Sequence, residues 1–126
     1  MIDPIKNLAQ LFPNEEHLVR VKAGGVIYLR GSPGHCGYVI KYGEVDIMLN
    51  GKLVEAGAIG CFFGEECLLN TVPRRATVIA ASDCGLVPID RRRLDALVTH
   101  TPGLLNHIKR VIELRQDMWD LERGYA

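Results

Sequence analysis

A carboxylate and a guanidinium lie nine residues apart in the stretch Phe62 to Val78, which reads FFGEECLLNTVPRRATV. Gly64 precedes the carboxylate of Glu65, and glycine lets a backbone come close to a ligand. A short helix after such a turn directs unpaired backbone N–H groups at a phosphate. The planar fork of Arg74 can bind two phosphate oxygens, whereas Glu65 suits the hydroxyl group of a ribose. The stretch therefore indicates a site for a ribose joined to a phosphate.

The same residues also permit a purely structural interpretation. Glu65 and Arg74 can form an ion pair that braces a loop, in which Gly64 is only a turn residue. The full string is more specific than this pair, because it resembles the phosphate-binding cassette of the cyclic nucleotide-binding domain family. The family pattern is Phe-Gly-Glu, two variable residues, Leu-Leu, a short turn, and Pro-Arg-x-Ala-Thr. The matching positions are Phe63, Gly64, Glu65, Leu68, Leu69, Pro73, Arg74, Ala76 and Thr77.

The resemblance implies a cyclic nucleotide as the ligand. Arg74 and backbone N–H groups near Gly64, Glu65 and Ala76 would bind the phosphate, and Glu65 would bind the ribose 2′-hydroxyl. Members that prefer guanosine tend to have threonine or serine at the position of Arg75, so the sequence favours cAMP over cGMP. No metal is expected. The predicted ligand-binding residues are Phe63, Gly64, Glu65, Glu66, Cys67, Leu68, Arg74, Arg75, Ala76 and Thr77.

Glu66 departs from the family pattern, which usually has an apolar residue after Gly-Glu. The departure adds a negative charge near the expected phosphate, and Arg75 can offset it. Glu66 therefore keeps open a second hypothesis, in which the fold is retained as an assembly domain without a ligand.

Composition indicates one domain of 126 residues. The hydrophobic fraction of 48% excludes a disordered chain, and no apolar run has the length of a membrane span. The formal net charge of zero argues against a protein that chiefly binds DNA or an anionic membrane. No signal peptide is visible, so we expect a cytoplasmic protein; a bacterial source is a separate expectation. The cysteines form no CxxC pair and are expected to be reduced fillers; they are Cys36, Cys61, Cys67 and Cys84.

Many short apolar runs, separated by glycines every six to ten residues, predict a mainly β fold. Asn50-Gly51 is the strongest hairpin signal and indicates a type I′ turn. The family resemblance covers roughly Leu11 to Val98. We predict a jelly-roll barrel, or double-stranded β-helix, with a short N-terminal helix and C-terminal helices. The predicted segments are an N-terminal helical segment at 1–18, the barrel at 19–89 with the cassette at 62–78, and C-terminal helices at 90–126.

Three helices are predicted outside the barrel. Asp3-Pro4 begins the first, in which an N-cap side chain is followed by proline at the first helical position. Asp90 caps a second helix that opens with three arginines, which we interpret as a solvated face and not as a nucleic-acid site. Thr101-Pro102 precedes a final helix that runs to about Glu122.

The final helix is too apolar for a single contact. One stripe has a heptad-like spacing and a neighbouring stripe lies beside it. In one hypothesis, one stripe packs on the barrel and the other contacts the ligand, a second subunit or a partner protein. In the alternative, both stripes pack on this domain. In the family this helix carries the lid over the base, so Arg115 and Trp119 are candidate lid residues. The stripes are Leu104, Val111, Leu114, Met118 and Leu121, and Leu105, Ile108, Ile112 and Trp119.

The sequence thus predicts a non-enzymatic cyclic nucleotide sensor that couples binding to movement of its C-terminal helices. It also predicts that the last helix forms a homodimer or binds a partner protein. A truncated regulator of the catabolite-activator class is an alternative, although no helix-turn-helix follows the long helix. A metal protein on a related barrel is a third class, because His35-Cys36 could contact a haem or metal. The histidines are scattered at His17, His35, His100 and His107.

Overall fold

A computed structural model of the chain describes residues 8–14 and 17–122. It contains eight strands and three α-helices among these residues, after a single 3₁₀ turn at Leu8–Leu11. The strands are β1 (Val19–Val21), β2 (Val26–Tyr28), β3 (Cys36–Tyr42), β4 (Val45–Leu49), β5 (Lys52–Gly57), β6 (Phe62–Phe63), β7 (Thr77–Ala80) and β8 (Cys84–Asp90). The helices are α1 (Glu66–Leu69), α2 (Arg91–His100) and α3 (Leu104–Glu122).

The strands form two four-stranded antiparallel sheets, with the orders β1-β8-β3-β6 and β2-β7-β4-β5. Alternation within a strand sets which side chains face the space between the sheets. In β4, for example, Val45, Ile47 and Leu49 are buried, while the residues between them are only partly buried. The prediction of a mainly β fold with flanking helices is confirmed.

The turn between β4 and β5 has the conformation that its sequence predicts. Both Asn50 and Gly51 have positive φ angles, 53° and 78°, as a type I′ turn requires. Leu49 pairs with Lys52 immediately beside the turn. The hairpin sets the pairing beside the turn, and a register shift between Ile47 and Met48 then places Glu55 opposite Ile47.

Two groups of buried apolar side chains fill the molecule. The first lies between sheet and helices and includes Leu94 from α2 and Ile108 from α3. The second lies between the sheets and is centred on residues such as Ile40, Phe63 and Leu86. Each such side chain stabilises the fold by about 1.5 to 3 kcal/mol when it leaves water. Helix α3 contributes to both groups, so it is a structural part of the domain.

Helix α2 begins as predicted. The side chain of Asp90 accepts a hydrogen bond of 2.8 Å from the backbone N–H of Arg93, which caps the helix. The basic first turn has structural contacts, because Arg91 donates to the carbonyl of Leu68 at 2.7 Å and Arg93 lies over the ring of Phe12.

Helix α3 buries one face and exposes another. Leu104, Ile108 and Ile112 are buried, whereas Leu114 and Met118 are 55% and 46% exposed. The alternative in which both stripes pack on this domain is therefore wrong for these two residues, and the side chain of Leu121 lies outside the described part. None of the described helices combines the length and the apolar character needed to cross a bilayer.

The N-terminal helix predicted from Asp3-Pro4 can be compared only in part, since residues 1–7, 15 and 16 lie outside the described residues. Within the described part the chain forms the 3₁₀ turn at Leu8–Leu11. Lys41 donates to the carbonyl of Ala9 at 3.2 Å, which ties this turn to β3.

Candidate functional site

The candidate site lies between the cassette and helix α3. The cassette leaves the sheet at the end of β6, turns at Gly64, forms the single helical turn α1 and returns through Pro73 to β7. Gly64 has a φ angle of 71°, a region that favours glycine. A Cβ atom at Gly64 would lie 2.6 Å from Nη1 of Arg74. Glycine is therefore needed both for the backbone conformation and for the close approach of the guanidinium.

Arg74 is a buried cation, with 5% of its surface exposed. Nη1 donates to the carbonyl of Gly64 at 3.2 Å, and Nη2 donates to the carbonyl of Cys36 at 2.7 Å. The guanidinium lies 4.1 Å from the ring centroid of Tyr28, a cation–π distance. Its Nε atom is buried and has no hydrogen-bond partner among the described residues.

No carboxylate in the described part of the chain forms a salt bridge with Arg74. A buried charge without a counter-charge is costly unless another group compensates it. A guanidinium has five N–H donors, and the two carbonyl bonds leave the others available. Arg74 therefore has the position and the free donors to bind an anion.

Glu65 is also buried, at 4% exposure, but its partner is on α3. Nη1 of Arg115 lies 2.7 Å from Oε1 of Glu65 and also donates to the carbonyl of Phe62 at 2.8 Å. The other edge of Arg115 binds Glu55 on β5, with an Nη2 to Oε2 distance of 2.7 Å. The proposed ion pair between Glu65 and Arg74 is therefore wrong: Glu65 fastens the cassette to α3.

Burial and charge act in opposite directions on this pair. Burial raises the pKa of Glu65, and the guanidinium of Arg115 opposes that rise. Burial on its own would lower the pKa of Arg115, but the charges of Glu65 and Glu55 raise it above its ordinary value. Arg115 therefore stays charged wherever Glu65 is ionised.

Glu66 and Gln116 make a second link between the cassette and α3. Nε2 of Gln116 donates to Oε1 of Glu66 at 3.2 Å. Nη1 of Arg75 lies 3.3 Å from the same carboxylate oxygen. Arg75 thus offsets the extra charge of Glu66, as the sequence suggested, and consecutive residues of α3 contact consecutive residues of the cassette.

A narrow cleft of about 30 Å³ lies between these groups, which is smaller than the roughly 300 to 1,000 Å³ of small-molecule sites, so a nucleotide can enter only if α3 moves away from the cassette. Tyr28 and the cassette form one side, and Ile112, Gln116 and Trp119 of α3 form the other. Trp119 is buried, and its Nε1 donor has no partner among the described residues. The cleft therefore combines a buried cation, a buried carboxylate and an apolar wall.

The sequence profile described as the cyclic nucleotide-binding domain matches residues 18–101, which is well over half of the chain. The chain belongs to the cyclic nucleotide-binding domain family.

Two curated relatives and one solved structure are similar to this chain. A putative potassium channel protein of Rhodopseudomonas palustris is 35% identical over 100 residues, which are 76% of this chain and 24% of that protein. A cAMP-dependent protein kinase regulatory subunit of Hypocrea atroviridis is 36% identical over 86 residues, which are 68% of this chain and 19% of that protein. The regulatory domain of Toxoplasma gondii PKA, solved with cAMP, is 30% identical with a TM-score of 0.58 and covers 64% of this chain and 32% of that chain. The chain thus spans about a quarter or less of the two curated relatives.

Most of the predicted site residues of this family member meet at the cleft. Those that line it are Gly64, Glu65, Glu66, Cys67, Arg74, Arg75, Ala76, Arg115 and Trp119. Phe63 and Leu68 instead lie in the two apolar cores. Thr77 accepts a hydrogen bond of 3.0 Å from the backbone N–H of Arg30 and does not line the cleft.

Sequence reasoning missed Glu55, Tyr28 and Gln116. Glu55 lies on β5 and is 60 residues from Arg115, so no local pattern connects them. Tyr28 lies in a strand whose alternation predicts burial but not its contact with Arg74. For Gln116 a signal existed, because it lies between Ile112 and Trp119, two members of one apolar stripe of the last helix.

Proposed function

We propose that this chain is a non-enzymatic regulatory module that binds a cyclic nucleotide, cAMP in preference to cGMP, in the cleft between the cassette and α3. The observation that carries the proposal is Arg74, a buried guanidinium with an unpartnered Nε and no carboxylate partner among the described residues. A phosphate diester supplies one negative charge and acceptor oxygens, which is what this group lacks. The family match and the cAMP in the relatives' names support the same ligand class.

The phosphate would lie against Arg74, with backbone N–H groups near Gly64, Glu65 and Ala76 as further donors. Tyr28 and the carbonyls of Gly64 and Cys36 already fix the guanidinium. A fixed guanidinium loses little conformational entropy when the ligand binds. Arg74 is therefore preorganised for an anion.

Glu65 would accept a hydrogen bond from the ribose 2′-hydroxyl, while Arg115 holds the carboxylate in place. Burial of Glu65 is tolerated because Arg115 lies 2.7 Å from it. The ribose and α3 thus contact the same carboxylate. The protein with α3 packed on the cassette and the protein with α3 moved away should therefore bind the ligand with different affinities. Such a difference shifts the population of α3 positions, and this is the proposed route from binding to regulation.

The test is a calorimetric titration of the purified chain with cAMP, cGMP and 5′-AMP. We expect cAMP to bind most tightly and 5′-AMP, with its open phosphate, to bind weakly. Arg74→Ala should weaken cAMP binding by about 2 to 5 kcal/mol, which is roughly 30-fold to a few thousand-fold. The exposed Arg110→Ala on α3 is the matched control and should bind as the parent does.

Glu65→Ala should cost less cAMP affinity than Arg74→Ala, because it loses contacts to a neutral hydroxyl group. Its fold must first be checked by circular dichroism, since the substitution also removes a partner of Arg115. If Arg74→Ala binds cAMP as well as the parent, the assignment of the cassette is incorrect. If the parent shows neither heat nor a thermal shift with any nucleotide, the ligand-free hypothesis replaces this one.

A second function, assembly through α3, is favoured by one observation. Leu114 and Met118 are exposed one helical turn apart, and Val111 beside them is only partly buried. We propose that this face pairs with a second copy of the chain. Sedimentation of the parent at micromolar concentration should give a dimer, and Leu114→Lys should give a monomer that still binds cAMP. A parent that sediments only as a monomer would contradict the proposal.

A further inference from the structure

Three guanidinium groups line the cleft, and two of them have a carboxylate partner that also lines it. Arg115 binds Glu65, with an Nη1 to Oε1 distance of 2.7 Å. Arg75 binds Glu66, and its Nη1 lies 3.3 and 3.4 Å from the two carboxylate oxygens. Arg74 forms no salt bridge with a carboxylate of the described residues. The lining charges therefore pair so that one positive charge, that of Arg74, remains for a ligand.

The pair of Glu66 and Arg75 lies wholly within the cassette. Gln116 of α3 also donates to Oε1 of Glu66, at 3.2 Å, but the ion pair itself does not require α3. It can therefore persist when α3 moves away to admit a nucleotide. The two side chains are only 16% and 27% exposed, so water screens their charges incompletely. Glu66 thus neutralises Arg75 in the open and in the closed cleft.

The number of available positive charges matters because phosphate esters differ in charge. A cyclic phosphodiester carries one negative charge, whereas an open monoester carries about 1.5 to 2 negative charges at pH 7. A buried charge is costly unless another charge compensates it. Arg74 can compensate a phosphodiester, but the second charge of a monoester would remain uncompensated near Glu66. Without Glu66, Arg75 would be a second available cation.

We propose that Glu66 is a specificity-determining residue, which neutralises Arg75 and thereby makes the cleft select singly charged phosphodiesters over doubly charged phosphate monoesters. This inference rests on the proposed function, because it requires a nucleotide phosphate at Arg74. It also gives a reason for the carboxylate at a position where the family usually has an apolar residue. An apolar side chain there would leave the second arginine of the cassette without this partner.

The decisive ligands are 5′-AMP and its phosphate methyl ester, tested at pH 8 by their displacement of bound cAMP. Both have an open phosphate on the same nucleoside, but the methyl ester carries one negative charge fewer. The parent chain should bind the methyl ester more tightly. Glu66→Gln keeps the shape of the side chain and removes its charge. It should shift the affinity ratio toward 5′-AMP by about fivefold to thirtyfold, which one charge–charge interaction supplies at roughly 8 to 16 Å with an effective dielectric constant of about 20.

Three further variants separate charge from other effects of the substitution. Arg75→Gln leaves the carboxylate of Glu66 without its cation and should shift the ratio in the opposite direction. The double variant Glu66→Gln with Arg75→Gln removes both charges and should return the ratio close to that of the parent. Glu113→Gln makes the same chemical change at an exposed position of α3 that does not line the cleft, and it should keep the parent ratio.

The affinity ratio separates charge selection from a damaged site, since a general loss of structure weakens both ligands together. A parent that binds 5′-AMP as tightly as the methyl ester would overturn this inference, and so would an unchanged ratio in Glu66→Gln. In both cases cAMP binding by the parent leaves the proposed function standing. A double variant that keeps the ratio of Glu66→Gln would show that Arg75 has no part in the selection. If the parent does not bind cAMP, the proposed function fails and the inference fails with it.

Discussion

Removing the charge of Arg115 should destabilise the domain, because it leaves Glu65 buried without a partner. Arg115 is 7% exposed and Glu65 is 4% exposed, so solvent cannot replace the lost contact. Loss of one partner of such a buried pair costs about 3 to 5 kcal/mol, a large part of the 5 to 15 kcal/mol typical of a whole domain. Arg115→Met keeps much of the apolar volume, so the expected loss in the free energy of unfolding is about 3 to 4 kcal/mol.

The assay is equilibrium unfolding in urea at pH 8 and at pH 5. Burial raises the pKa of Glu65 from its ordinary value of 4.5, and removing Arg115 should raise that pKa further. A group that binds more protons in the folded state destabilises the fold as the pH rises. The loss in Arg115→Met should therefore be larger at pH 8 than at pH 5.

Two further variants serve as controls for the stability loss in Arg115→Met. Glu65→Gln combined with Arg115→Met removes both charges and should recover part of the stability at pH 8, as in a double-mutant cycle for a coupled pair. Arg110→Met changes an exposed arginine of the same helix and should stay within about 0.5 kcal/mol of the parent. A loss below about 1 kcal/mol in Arg115→Met, equal at both pH values, would refute the account of this pair.

Three other results are expected. Gly64→Ala should bind cAMP more weakly and be less stable, because its Cβ would contact Arg74 and its φ angle is positive; Gly51→Ala, with a positive φ angle but open space around it, should lose stability only. Burial raises the pKa of the Cys67 thiol, so alkylation at pH 7.5 should be slow, and cAMP should slow it further because Cys67 lines the cleft; a rate unaffected by cAMP would contradict the location of the ligand. Glu55→Gln should cost about 1 kcal/mol or less, since its side chain is 20% exposed; a larger loss in urea unfolding would show that Glu55, and not Glu65, is the main partner of Arg115.

Local sequence patterns predicted the elements that depend on neighbouring residues. Asn50-Gly51 specifies its turn through its own backbone preferences, and Asp90 caps α2 within one turn. The cassette could be located because its glycine, carboxylate and arginine lie in one short stretch. Each of these features is decided by contacts close along the chain.

Contacts between distant parts of the chain could not be predicted from local sequence patterns. Glu65 has Arg74 nearby in sequence but pairs with Arg115, which is 50 residues away, because α3 lies across the cassette. The apolar stripes of α3 gave two candidate faces without showing which one is buried. The exposure of Leu114 and Met118 follows from the packing of Ile108 and Ile112 against the sheet and α2.

The most direct test of the central claim is the ¹H–¹⁵N signal of the Arg74 Nε–H group, assigned by its loss in Arg74→Lys. This donor is buried and has no partner in the described part of the chain, so we expect it to bind a phosphate oxygen. Addition of cAMP should move its proton resonance strongly downfield and slow its exchange with water, while 5′-AMP at the same concentration should have little effect. A signal that stays unchanged when cAMP is saturating would show that Arg74 does not bind the phosphate.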